Sequence, residues 1–85
     1  MEIILSPEAS EHIQYWKETN NIAVQERITA LKNSILISPY KGIGKPEPLK
    51  HDLAGKWSRR IDRKNRFVYA VEKNVLYIYS LKDHY

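Results

Sequence analysis

The apolar and polar positions of the chain follow two different periods, with an unpatterned stretch between them. Glu2 to Leu5 is short and largely apolar and predicts a first strand. Ser6-Pro7-Glu8 then reads as a helix start, with serine as N-cap, proline at the first helical position and an acid in the first turn. Ala9, Ile13 and Trp16 follow at helical spacing, flanked by Tyr15, until the polar Thr19-Asn20-Asn21 breaks the pattern. A second helix is predicted from about residue 22 to 37, its apolar stripe formed by Val24, Ile28, Leu31 and Ile35. So short a link between the two makes them a helical hairpin.

Ser38-Pro39-Tyr40 ends the helices. Residues 40–56 hold all three glycines together with Pro46 and Pro48, so a long loop is expected. Loops of this length in a small domain are usually functional or disordered. Lys41, Lys45, Glu47, Lys50, His51, Asp52 and Lys56 favour the functional reading. Residues 57–61, 66–71 and 75–81 are rich in β-branched and aromatic side chains and predict three strands, joined by tight turns at 62–65 and 72–74. The expected fold is α+β in the order β-α-α-β-β-β. The helical hairpin packs on one face of a mainly antiparallel sheet, and basic residues line the open face or its rim.

Length and charge narrow the function. Eighty-five residues make one domain, spanning 1–85. Nine aromatics and a 42% hydrophobic content can anchor a core and argue against disorder. The absence of cysteine excludes disulfides, thiolate catalysis and cysteine-type zinc sites. No apolar run approaches the roughly 18 residues of a membrane span, and MEIILSPEAS lacks the pattern of a signal peptide, so a cytoplasmic location is expected. The net charge of +4 is uneven: residues 1–40 carry a balance of −2 and residues 41–85 a balance of +6. Such a distribution suits a polyanionic partner, RNA or DNA first, as well as a lysine-rich solvated surface.

RNA brings its own nucleophile, the 2′-hydroxyl beside the scissile phosphate. An enzyme that cuts it needs a base, an acid and cations, and requires neither metal nor cofactor. Glu47, between two prolines in KPEPLKH, is a candidate base; the alternative is a surface carboxylate paired with Lys45 or Lys50. Arg59, Arg60 and Arg66 supply guanidiniums on neighbouring strands, or are surface arginines paired with Asp62 or Glu72. Strand alternation sends Arg59 and Arg60 to opposite faces, so at most one joins a given cluster. His84 is a candidate acid if the last strand holds it near the sheet, and part of a frayed tail otherwise. His51 competes for that role, and His12 reads as a surface residue. Tyr77 and Tyr79 fit core packing better than base stacking. The histidines lack ligand spacing for a metal, and GIGKPEP lacks the spacing and helix of a phosphate loop.

KPEPLKHDLAGKWSRRI, NRFVYAV and IYSLKDHY together resemble the YoeB/Txe toxins within the RelE-like superfamily, with its microbial RNase-like fold. The resemblance spans the chain and is strongest from Gly42 onward. It implies a toxin that cuts translated messenger RNA in the ribosomal A site without metal, leaving a 2′,3′-cyclic phosphate and a 5′-hydroxyl. Glu47 would be its base, His84 its acid and Arg66 its charge stabiliser, with Lys50 and Arg60 on phosphates and Tyr85 positioning the RNA. It also implies a cognate antitoxin whose disordered segment covers the active site, and it permits a homodimer. Two departures stand out: Asn65 where many relatives carry histidine, and Leu5 and Ser10 where many carry tryptophan. A non-catalytic nucleic-acid-binding module and a protein-interaction module are the competing readings.

Overall fold

The computed structural model describes residues 1–84; Tyr85 lies outside them. The elements are β1 (Glu2–Leu5), α1 (Pro7–Glu18), α2 (Ile22–Ile37), β2 (Glu47–Pro48), a 3₁₀ turn (His51–Leu53), β3 (Trp57–Arg60), β4 (Arg66–Glu72) and β5 (Val75–Ser80). They form the expected α+β fold, with five strands in the order β1-β5-β4-β3-β2. Among the described residues only the β1–β5 pair is parallel, and the helical hairpin carries the chain from the β1 edge across the sheet to β2 at the other.

Local chemistry sets these boundaries. Ser6 Oγ accepts the Ala9 N–H at 3.0 Å and donates to the Tyr79 carbonyl at 2.8 Å, capping α1 and tying its start to β5. Asn21 Oδ1 caps α2 by accepting from Val24 N–H. Between β4 and β5, Lys73 and Asn74 sit at φ +51° and +63°, two left-handed residues in succession that match the twist of a two-residue hairpin.

The hairpin packs on one sheet face. Ala9, Trp16, Leu31 and Ile35 from the helices meet Phe67, Tyr69, Leu76 and Ile78 from the strands. Trp16 also donates its indole N–H to the Leu81 carbonyl at 2.9 Å, so the largest core side chain satisfies its polar group on the segment leaving β5.

The structure differs from the sequence expectations in four places. The loop at 40–56 contains a fifth strand, β2, paired antiparallel with β3 through Glu47↔Ser58 and Pro48↔Trp57. It sits at the sheet edge, where a missing proline N–H does no harm. Tyr77 and Tyr79 are not core residues: Leu76 and Ile78 take the helix face, so alternation turns the tyrosines to the open face, where their rings stack. His12 is not a mere surface residue, since its Nδ1 accepts the Leu81 N–H at 3.0 Å. Arg59 is fully buried and pairs with neither Asp62 nor Glu72.

Candidate functional site

Arg59 and Arg60 take opposite faces of β3, as alternation requires. Arg59 points toward the helices and makes six hydrogen bonds. It donates to the Tyr69 hydroxyl, to Ser34 Oγ, and to the carbonyls of Ser38, Pro39, Lys41 and Ile43. Oxygen dipoles thus take the place of water around the buried guanidinium, and the segment from the end of α2 to residue 43 is moulded around it. Gly42 and Gly44, both at positive φ, let that segment pass close by. A Cβ at Gly42 would strike Ser34 Oγ, and one at Gly44 would strike Leu31. The chain then docks on β3 through Arg60 N–H to the Gly44 carbonyl, at 2.7 Å, and runs straight into β2. Arg59 therefore sets where Glu47 lies, from the other side of the sheet.

On the open face Glu47 stands opposite Ser58, Ser58 opposite Val68, and Arg60 opposite Arg66. The Arg66 guanidinium donates to the carbonyls of Asp62 and Asn65 at 2.9 and 3.3 Å, which anchors it at the head of β4.

The segment after β5 is held down residue by residue. Leu81 is fixed through its N–H by His12 and through its carbonyl by Trp16. Asp83 is fixed through its N–H by Asn65 Oδ1 at 2.7 Å and through its carbonyl by Arg66 N–H at 3.1 Å. This tethering brings His84 back over the open face. Asp62, beneath, has its carboxyl held below the ordinary range. Burial alone would raise it, but hydrogen bonds from Asn65 and Lys64 and the nearby Arg66 charge outweigh burial.

Lys45, Glu47, Ser58, Arg60, Arg66 and His84 line one cleft of about 280 Å³. Four residues singled out from the sequence, Glu47, Arg60, Arg66 and His84, are thereby brought together. Lys50 is not in that cleft; it lines an adjoining, more open one with Glu47 and His51. Tyr85 falls outside the described residues. The sequence marks Lys45 only as part of the basic loop and as a possible partner of Glu47, and it does not mark Ser58, although Ser58 alternates with Arg60 on β3 and so shares its face. The cleft sets one carboxylate and one imidazole among three cations, an arrangement able to bind a phosphate and move protons beside it. A larger apolar hollow of about 360 Å³ beside β1, α1 and α2 has only Lys17 and Lys32 as ionisable lining groups, so it offers no acid–base pair.

Known proteins agree with this architecture. Residues 5–85 match the family model described as YoeB-like toxin of bacterial type II toxin-antitoxin system. Toxin YoeB of Escherichia coli K12 is 44% identical over 85 residues, covering all of both chains. The YoeB/ParE toxin from Agrobacterium tumefaciens superposes with a TM-score of 0.96 at 36% identity, again over all of both chains. The toxin in the YoeB-YefM complex from Staphylococcus aureus does so with a TM-score of 0.91 at 42% identity, over all of this chain and 98% of that one. The chain belongs to the YoeB-like toxins of bacterial type II toxin–antitoxin systems.

Proposed function

We propose that this toxin is an endoribonuclease that cuts messenger RNA on the translating ribosome. The observation that carries the reading is the convergence of Glu47, Arg60, Arg66 and His84, from separate segments of the chain, on a single cleft. Glu47 takes the proton of the 2′-hydroxyl, whose oxygen attacks the adjacent phosphorus. The bond from phosphorus to the 5′-oxygen breaks, and His84 gives that oxygen its proton. The products are a 2′,3′-cyclic phosphate and a 5′-hydroxyl. Arg66, with Arg60 and Lys45 around it, offsets the charge that builds on the phosphoryl oxygens, so no metal ion is needed for that role.

Lys50, in the adjoining cleft, suits a neighbouring phosphate of the same strand. Tyr77 and Tyr79, on the same face with the Lys56 ammonium 4.1 Å above the Tyr79 ring centre, suit the stacking of a flanking base. Tyr85 is assigned to RNA positioning by resemblance to the family. Presentation of the message by the ribosome is assigned by resemblance to the family. The site of action is then the cytoplasm.

A cognate antitoxin is the natural partner, as YefM is for the Staphylococcus aureus toxin. An acidic segment laid on this basic face would block the cleft by charge complementarity. The edge strand β1, with Ile3, Ile4 and Leu5 exposed, suits self-association as a homodimer.

Primer extension on a message incubated with the protein, with and without translating ribosomes, tests the reading. In-frame cuts confined to the translating sample are expected. Cuts in both samples would remove the ribosome from the account. No cuts from folded protein would leave a non-catalytic nucleic-acid-binding module.

A further inference from the structure

Asn65 lies just before β4 and is buried at 8% exposure, and its side-chain amide bridges two neighbours. Its amide nitrogen donates to both carboxylate oxygens of Asp62, at 3.0 and 3.1 Å, and its backbone N–H donates to Asp62 Oδ1 at 2.8 Å. Its amide oxygen accepts the Asp83 N–H at 2.7 Å. The next residue, Arg66, donates its N–H to the Asp83 carbonyl. Asp83 is thus gripped at both backbone groups by two consecutive residues, one of which is the cleft arginine. Asp83 sits at φ +66°, in the left-handed region that aspartate enters more readily than most residues but still at some cost, which the grip offsets.

An amide suits this place because one end must donate and the other accept. Asp62 offers only acceptor oxygens, and Asp83 turns its N–H donor to Asn65 while its carbonyl is taken by Arg66. Aspartate at position 65 would keep the shape and the acceptor but set a second carboxylate against Asp62.

We propose that Asn65 is a positioning residue. It locks the tail that carries His84 to the strand that carries Arg66, so that proton donor and cation meet the scissile phosphate in one fixed geometry. The inference rests on the reading of His84 as the general acid.

The test is single-turnover cleavage of ribosome-bound message at saturating toxin, with wild type, Asn65→Asp, His84→Gln and the double variant. Asn65→Asp should slow cleavage by about 10²-fold, the scale of a 1 Å misplacement, with the half-saturating toxin concentration little changed. In the His84→Gln background the same change should slow nothing further, because its effect passes through the histidine. Equal slowing in both backgrounds, or none in wild type, overturns the proposal while leaving the acid assignment intact. His84→Gln cutting at the wild-type rate is a different pattern, and it removes the acid assignment and this inference together. Should Asn65→Asp fail to fold, Asn65→Ser removes the amide without adding charge. Hydrogen exchange on wild type needs no variant: the Asp83 amide should be protected to the level of Arg66, and exchange at the coil rate overturns the proposal.

Discussion

Arg60 and Arg66 stand directly opposite one another across the β3–β4 ladder, on the sheet face turned away from the helices. Like charges in that relation weaken a sheet, by roughly 0.2–1 kcal/mol for a cross-strand pair. Folding alone gives no reason for the pairing, and a bound anion gives a good one. Inorganic phosphate at constant ionic strength should therefore stabilise the protein more than chloride does. At ten times its Kd the gain is about 1.4 kcal/mol, or roughly 5–10 °C in Tm for a domain of this size. Thermal melts of wild type and Arg66→Gln check this, since the variant should lose most of the phosphate effect.

Arg59 performs structural work that its charge conceals. Arg59→Met would leave the Ser34 hydroxyl and the carbonyls of Ser38, Lys41 and Ile43 without their donor. The expected loss is about 3 kcal/mol, because a stranded acceptor costs about 1–3 kcal/mol when buried and these four are part-buried. Urea denaturation reads it directly. Arg59→Lys should recover only part of the loss, since an ammonium cannot fork to so many acceptors. An unchanged midpoint would mean that the loop holds its course without the guanidinium.

Stability should depend on Asp62 at low pH. Its carboxyl lies below the ordinary 3.8 in the folded protein. A carboxyl depressed on folding adds stability that is fully present above the unfolded value and lost as pH falls through the folded one. Denaturation midpoints should thus drop as pH falls below about 4, and Asp62→Asn should flatten that part of the curve. At the alkaline end, burial raises the Tyr69 hydroxyl above its ordinary 10.0 despite the opposing Arg59 hydrogen bond and charge. Its stabilising contribution is present below pH 10.0 and is lost as pH rises through the folded value.

Tyr77 and Tyr79 present stacked rings to the open face, at an interplanar angle of 21°. If they meet a base of the message, Tyr79→Ala should weaken binding of single-stranded RNA by about 1–3 kcal/mol per base lost. Filter binding at several salt concentrations separates this from charge. The salt slope should be unchanged in Tyr79→Ala and shallower by about 0.7 in Lys50→Ala.

Much of this was legible in the sequence, and the gaps have physical causes. The two helices and the four strands other than β2 follow from residue pattern and caps, which are local signals. Strand β2 is only two residues long and depends on β3, so no local pattern announces it. His12 and Trp16 fasten a segment 65 or more positions away, which spacing along the chain cannot reveal. Arg59 contradicts the expectation that charge lies outside, because its partners are loop carbonyls rather than acids. The tyrosines of β5 depart from the expected core packing because the residues that alternate with them, Leu76 and Ile78, hold the helix face. Residue chemistry and family resemblance point to Glu47, Arg66 and His84, whereas their meeting in one cleft is a property of the fold.

The central claim is acid–base cleavage by Glu47 and His84, and single-turnover cutting of a message in translating ribosomes tests it most directly. Glu47→Gln and His84→Gln keep shape and solubility while removing the base and the acid. Each should lower the rate by roughly 10²–10⁴-fold with ribosome association retained. Wild-type rates from both folded variants would contradict the account.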